Sequence, residues 1–259
     1  MLQEVKGLVI RTVDLKESDR LLTIFTEELG VVTALARGAR TLKSRKMSST
    51  MQFCYSSFVL FKKDDKYTIR DAELIESFFG IRDSIEGLAL AAYIADVLSD
   101  VTTAESDRDL LRLSLNSLYA ISTGRYDVAA VKAAFEIRAT SILGFMPDVL
   151  ACAECGSREG ESFFDIMGGF VECAACRKKR AQGLPPDPED RERRIIRILS
   201  EPARTALGYC IHCPLEKIFS FRLTDADQQL FSLAAEDYIV NQLERSFKTL
   251  DFYNKVKRN

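Results

Sequence analysis

Apolar and polar residues alternate with a period of two through the first part of the chain, and the period then changes. Glu4 to Val13, Leu21 to Phe25, Val31 to Arg37, Phe53 to Phe61 and Lys66 to Leu74 read as five short strands. In the fourth, Phe53, Tyr55, Ser57, Val59 and Phe61 point one way and Cys54, Ser56, Phe58 and Leu60 the other, as a pleated strand requires. Glu28-Leu29-Gly30 and Lys63-Asp64-Asp65-Lys66 supply turns between strands. Five strands with one long polar connection, Gly38 to Thr50, suit a small Greek-key barrel of the OB type. An SH3-like barrel is the alternative, and periodicity does not separate the two.

From residue 82 the period is helical. Leu88 to Leu98 is apolar except for Asp96, which predicts a core helix. Ser106-Asp107-Arg108-Asp109 opens the next helix with a capping-box pattern, and Leu111, Leu115 and Leu118 form its stripe. A third runs from Asp127 to Leu143 on Val128, Val131, Phe135, Ala139 and Ile142, with Gly144 placed to end it and Pro147 to prevent a restart. Beyond residue 183, Leu184-Pro185-Pro186-Asp187-Pro188 reads as a stiff linker. Residues 189–199 and 202–209 read as short helices separated by Pro202, and Thr224 caps a last helix reaching to near Phe247. The fold class expected is α+β and multidomain: a barrel over residues 1–80 and a helical bundle over 81–150 and 184–259, interrupted by an insertion at 151–183.

That insertion carries the most specific local signal. Cys152 and Cys155 form one C-x-x-C pair, Cys173 and Cys176 another, with seventeen residues between Cys155 and Cys173. This spacing reads as one zinc ion: two tight turns each direct two thiolates at a common centre, completing a tetrahedron at about 2.3 Å Zn–S. Four thiolates close the coordination sphere, so the predicted role is structural, a zinc finger with Gly168-Gly169 turning a hairpin between Ser162–Met167 and Phe170–Glu172. A dithiol redox pair is the competing use of C-x-x-C, and no βαβ pattern precedes it. The single histidine, His212, sits in a third pair, Cys210-Ile211-His212-Cys213; it reads as a partly buried turn beside Pro214 or as a ligand to a second metal.

Charge redirects attention to the barrel. The formal net charge is −2, yet no acid occurs between Glu28 and Asp64, where Arg37, Arg40, Lys43, Arg45, Lys46, Lys62 and Lys63 all lie. The loop from Arg37 to Lys46 thus holds five cations interleaved with small and hydroxyl residues, suited to a phosphate backbone and to affinity without sequence preference. Phe53, Tyr55 and Phe58 alongside it are either barrel core or a stacking platform for bases. Arg177-Lys178-Lys179-Arg180 is a second cationic cluster. With one histidine, no G-x-S-x-G elbow and no P-loop motif, the sequence calls for no catalytic triad and no NTP hydrolysis. No apolar run approaches about 18 residues and the start is no signal peptide, so a cytoplasmic protein that does not enter membranes is expected.

Across nearly its full length the chain resembles the bacterial RecO family of recombination and DNA-repair mediators. The resemblance rests on Gly7-Leu8-Val9-Ile10-Arg11, on Glu17 to Thr26 running into Gly30, and on Ala36-Arg37-Gly38-Ala39-Arg40 followed by Lys43-Ser44. Phe135-Glu136-Ile137-Arg138, Leu143 to Pro147, the Cys-x-x-Cys-Gly at 152–156 and Gly168-Gly169-Phe170 extend it. It implies an N-terminal OB domain, a helical domain and an embedded zinc finger. It also implies a nucleoid-associated, non-enzymatic activity that binds single- and double-stranded DNA and anneals complementary strands. The partner RecR would join it in loading RecA onto DNA covered by single-stranded DNA-binding protein. By position, Arg37, Arg40, Lys43, Arg45 and Lys46 become DNA-contact candidates, with Arg11 and Arg20 as contributors and the four paired cysteines as zinc ligands. The competing reading is a zinc-ribbon protein-interaction adaptor whose nucleic-acid contact is incidental.

Overall fold

The computed structural model describes residues 2–15, 17–101, 107–182 and 194–257. The chain forms two compact units, residues 1–125 with 247–259 and residues 126–246.

In the first unit five strands close into a barrel: β1 (Leu2–Leu15), β2 (Asp19–Thr26), β3 (Gly30–Ala36), β4 (Tyr55–Lys63) and β5 (Lys66–Glu76), in the order β1-β2-β3-β5-β4. Each lies within two residues of its predicted bounds. Neighbours run antiparallel except β3 and β5, which close the wall as a short parallel pair. One strand serves both sides of the seam: Leu2 to Leu8 pair with β4, Gly7 to Leu15 with β2, and the register slips between Val9 and Arg11. Such a bulge bends the strand so that it turns from one neighbour to the other. Gly7 lies at the crossing, where a Cβ would stand 2.5 Å from Ile24 Cγ2 and 2.9 Å from the Phe25 carbonyl oxygen. Only glycine allows that approach.

The predicted alternation of β4 holds from Tyr55 onward: Ser56, Phe58 and Leu60 are buried, and Tyr55, Ser57, Val59 and Phe61 are half-buried on the other side. Phe53 departs from it. It precedes the strand with φ +67°, donates its N–H to the Val9 carbonyl at 2.8 Å and is buried. Asp64 and Asp65, both with positive φ, make the two-residue hairpin turn into β5.

Two helices follow within this unit, α1 (Ile85–Val101) and α2 (Arg108–Thr123). Asp107 caps α2 through the Leu110 N–H at 2.9 Å, while Ser106 of the predicted cap lies outside the described residues. The C-terminal helix, Lys248–Lys257, covers α1. It resolves the one charge in the apolar run: Asp96 accepts from Thr249 Oγ1 at 2.8 Å, and Tyr93 meets Phe247 edge-on with ring centroids 5.6 Å apart.

The second unit contains α3 (Val128–Ile142), a three-stranded sheet ordered β7-β6-β8 (β6 Ser162–Asp165, β7 Phe170–Cys173, β8 Ile196–Leu199), α4 (Ala174–Gln182), α5 (Glu201–His212) and α6 (Asp225–Gln242). Asp127 caps α3 and Gly144, at φ +94°, follows its end. Inside the unit Lys132 Nζ stands 2.7 Å from both Glu136 Oε1 and Glu236 Oε2, joining α3 to α6 through a buried ion triad. Arg138 donates to the carbonyls of Cys210 and Ile211, neutralising the C-terminal end of α5.

Three expectations need correction here. Of the helix predicted over 189–199, residues 189–193 and the Leu184–Pro188 linker lie outside the described residues, and Ile196–Leu199 is a strand. Its β-branched residues pair with the free edge of β6, Phe163 opposite Ile198. Pro202 does not separate helices but occupies the first turn of α5, where its missing N–H leaves no bond unmade. The last predicted helix ends at Gln242. Glu244 takes φ +50°, and the chain restarts as the C-terminal helix of the other unit.

Candidate nucleic-acid interface and metal centre

Between β3 and β4 the chain advances in successive turns rather than as a slack loop. Thr41 N–H bonds to Gly38 O at 3.3 Å, Ser44 N–H to Thr41 O at 2.8 Å and Met47 N–H to Ser44 O at 3.2 Å. The barrel holds the near end: Gly38 N–H donates to Asp19 Oδ1 at 2.8 Å and Arg40 N–H to Ser18 O at 2.9 Å. At the far end Thr50 Oγ1 donates to Lys46 O at 2.6 Å, and Ser49 Oγ reaches Ala72 O on β5 at 3.3 Å.

The cations of this segment divide by role. Arg20, only 16% exposed in its side chain, pairs with Asp14 at 3.0 Å and donates to Thr50 O at 3.3 Å; Arg40 pairs with the other oxygen of Asp14 at 3.2 Å. Lys46 Nζ donates to the Arg37 carbonyl at 2.9 Å. These three are tied into the loop's own framework. Arg37, Lys43 and Arg45 are exposed and make no side-chain ion pair or hydrogen bond among the described residues. Arg11 is exposed on β1. Of the aromatics, Phe53 and Phe58 are buried, the barrel-core alternative of the two readings, and cannot stack on bases. Tyr55 is half-buried and donates its hydroxyl to Glu27; burial and that carboxylate push the phenol up.

In the second unit the four paired cysteines converge. Their sulfurs all lie within 4.8 Å of one another, and Cys155 Sγ stands 3.7 Å from Cys173 Sγ. A tetrahedron of thiolates about 2.3 Å from a shared ion has edges of about 3.8 Å, whereas a disulfide needs about 2.05 Å. The cluster therefore fits a tetrahedral metal. The first pair sits in a turn closed by Gly156 N–H to Cys152 O at 2.8 Å, with Gly156 at φ +73°. The second departs from the expected tight turn: Cys173 ends β7 and Cys176 lies in the first turn of α4. Burial opposes ionisation of Cys152, but the backbone N–H groups of Cys173, Cys155 and Glu154 outweigh it and bring the thiol down to about 6. Hydrogen bonds with Cys155 and Cys173 push Cys176 up to about 12.

Arg177 to Arg180 occupy α4 directly after the last cysteine. Arg177 stacks over the Phe163 ring at 4.7 Å, and Arg180 pairs with Glu154 at 2.9 Å and with Glu172. Lys178 and Lys179 are exposed without a partner among the described residues. Cys210 and Cys213 lie elsewhere in the same unit, at the end of α5; burial pushes both thiols up, and His212 is exposed.

Sequence reasoning missed the residues that shape the loop. Asp14 and Asp19 act on Arg20, Arg40 and Gly38 across strand-to-loop distances that no periodicity reports. It also missed two cation–aromatic pairs of the barrel, Arg70 over Phe61 at 4.8 Å and, at the end of the barrel where Tyr67 packs against the core, Lys62 over Tyr67 at 5.7 Å. Pairing the fourth and fifth strands through the Asp64-Asp65 turn would have brought Lys62 opposite Tyr67.

Known families match this arrangement along the chain. A family model described as "Recombination protein O N terminal" matches residues 1–78, and one described as "Recombination protein O C terminal" matches residues 82–251. A protein named "DNA repair protein RecO" from Acetivibrio thermocellus is 34% identical over 258 residues, covering 98% of this chain and 97% of its own. Proteins of the same name from Caldicellulosiruptor saccharolyticus and Clostridium acetobutylicum are 30% and 25% identical, each over at least 97% of both chains.

Proposed function

The chain belongs to the RecO family, and on that premise we propose that it is a non-enzymatic mediator of DNA repair and recombination that binds DNA without sequence preference and anneals complementary strands. The observation that carries this reading is the anchored, acid-free loop with Arg37, Lys43 and Arg45 exposed on its surface and unpaired among the described residues. In it residues 1–80 are an OB-fold nucleic-acid-binding domain, residues 81–150 and 184–259 a helical domain and residues 151–183 a zinc finger. The strand order β1-β2-β3-β5-β4 with its parallel β3–β5 closure supports the OB assignment.

Two polyanionic strands repel each other. A protein that neutralises phosphates on both raises their encounter rate and holds them together until bases pair, and it does so through counterion release rather than chemistry. Arg37, Lys43 and Arg45 supply that neutralisation, and Arg11, exposed on β1, is a further contributor. Arg20, Arg40 and Lys46 set the loop's shape, Arg40 keeping partial exposure for a contact of its own. Lys178 and Lys179 give the second unit a smaller contact, with Arg177 and Arg180 braced against Phe163 and Glu154.

The four thiolates hold one zinc ion, whose all-sulfur sphere leaves no position for a substrate; when bound it cross-links the turn at Cys152 to the start of α4. RecR, RecA and single-stranded DNA-binding protein are the partners this reading implies, in the cytoplasm at the nucleoid. No helix among the described residues is long and apolar enough to cross a membrane. The test is annealing of complementary oligonucleotides, bare and coated with single-stranded DNA-binding protein, by the wild type and by R37E/K43E/R45E. The variant loses annealing on both substrates at low salt. Annealing equal to that of the wild type would remove the loop from the mechanism and favour the adaptor reading.

A further inference from the structure

Among the described residues, the most exposed large apolar side chain of the barrel unit is placed where a phosphate-binding loop has least use for one. Leu42 is 95% exposed. It lies between Thr41 and Lys43 at the outer corner of the turn closed by the Ser44 N–H to Thr41 O bond of 2.8 Å. Thr41 Oγ1 donates to Gly38 O at 3.0 Å, and Ser44 Oγ accepts from the Lys46 N–H at 3.2 Å, so hydroxyls fix the turn on both sides. The turn itself is tied back to the barrel through Arg40 N–H and Gly38 N–H. Leu42 is thus held outward and almost fully exposed, and is flanked in sequence by the exposed cations Arg37, Lys43 and Arg45.

A single exposed leucine is ordinary on a protein surface; what sets this one apart is its place between exposed cations, where a ligand that covered it would gain from burying it. The ligand this loop is built to attract is a nucleic acid, and the largest apolar surface a single strand offers beside its phosphates is the face of a base. Apolar wedges, leucine among them, enter between base steps and unstack them while neighbouring cations hold the phosphates. We propose that Leu42 is such a wedge: it inserts between adjacent bases of the strand held by Arg37, Lys43 and Arg45 and separates them. This rests on the reading of the loop as a DNA contact and goes beyond it, from neutralising the backbone to opening the stack. The pairing edges are free whether or not the bases stack, so the wedge acts on how the strand is held, splaying two adjacent bases at a fixed point of the loop. Because the turn is pinned before DNA arrives, little loop ordering opposes the insertion.

The experiment uses the full-length protein and a single-stranded oligonucleotide containing 2-aminopurine, whose fluorescence rises when it is unstacked. Wild-type protein raises the signal. L42A abolishes most of the rise and weakens binding by about threefold to tenfold, while its salt dependence matches the wild type because no charge has changed. L42F restores the rise, since a larger apolar group also wedges. An L42A protein that binds DNA and raises the signal as the wild type does overturns the wedge. So does an L42A protein whose only defect is weaker retention of a protein partner. A wild-type protein whose binding is insensitive to R37A/K43A/R45A overturns the DNA-contact reading of the loop and the wedge with it. A sensitive one with an L42-independent signal overturns the wedge alone.

Discussion

Removing the three unpaired loop cations, in R37A/K43A/R45A, should change the salt dependence of DNA binding by an amount that can be worked out beforehand. Each phosphate neutralised on a single strand contributes about 0.7 to the slope of log affinity against log salt. Three contacts make about 2.1, so between 50 and 200 mM salt the affinity gap between wild type and variant closes by about twentyfold. The fold should survive the substitutions, because all three side chains are exposed and the bond from Lys46 Nζ uses the carbonyl of Arg37, not its side chain. R20A serves as the control. Arg20 is largely covered and already paired with Asp14, so its loss should loosen the loop without lowering the slope by a full contact. Fluorescence anisotropy of a labelled oligonucleotide, titrated at four or more salt concentrations, measures both slopes. A triple variant with the wild-type slope would refute the assignment of these cations to phosphates. An R20A slope reduced as much as that of R37A alone would refute the division between anchoring and contacting residues.

Two further outcomes concern the second unit. Zinc can bind the cysteine cluster only as its thiols lose their protons, and Cys176 holds its proton up to about 12 in the absence of metal. Uptake should therefore release protons, and occupancy should fall as pH falls, read with a chromophoric chelator across a pH series; a pH-independent occupancy would contradict the tetrathiolate. K132M should destabilise the unit by about 3–5 kcal/mol, because it strands Glu136, which is fully buried, without its counter-charge. Denaturant unfolding reads that loss, and K132M/E136L should recover most of it. Burial works against the Lys132 charge, but Glu136 and Glu236 outweigh it and raise its folded-state pKa above the ordinary 10.5. The triad's contribution is thus complete at neutral pH and disappears only as pH rises through that higher value. Stability falling between pH 8 and pH 6 through this group would have the wrong sign.

The cysteine cluster was legible because two residues of spacing keep each pair of sulfurs close, on one turn closed by Gly156 at Cys152/Cys155 and from the end of β7 into α4 at Cys173/Cys176. The five strands were legible for the same kind of reason, since a period of two reports one strand and one buried face at a time. The break after Gln242 was not, because nothing in the run to Phe247 signals the left-handed turn at Glu244, and Thr249 and Phe247 leave α6 to cover Asp96 and Tyr93 in the other unit. The strand at Ile196–Leu199 depended in turn on the open edge of β6, a partner remote in sequence.

The sequence by itself determined that a cationic, acid-free segment and a four-thiol set exist, and where their residues lie. Tertiary structure decided what each cation does. Arg40 and Lys46 look like Arg37, Lys43 and Arg45 along the chain, yet Asp14 and the Arg37 carbonyl engage the first two and leave the others to solvent. The physical reason is that charge is a property of a residue, whereas availability depends on which carboxylates and carbonyls the fold brings within about 4 Å of it.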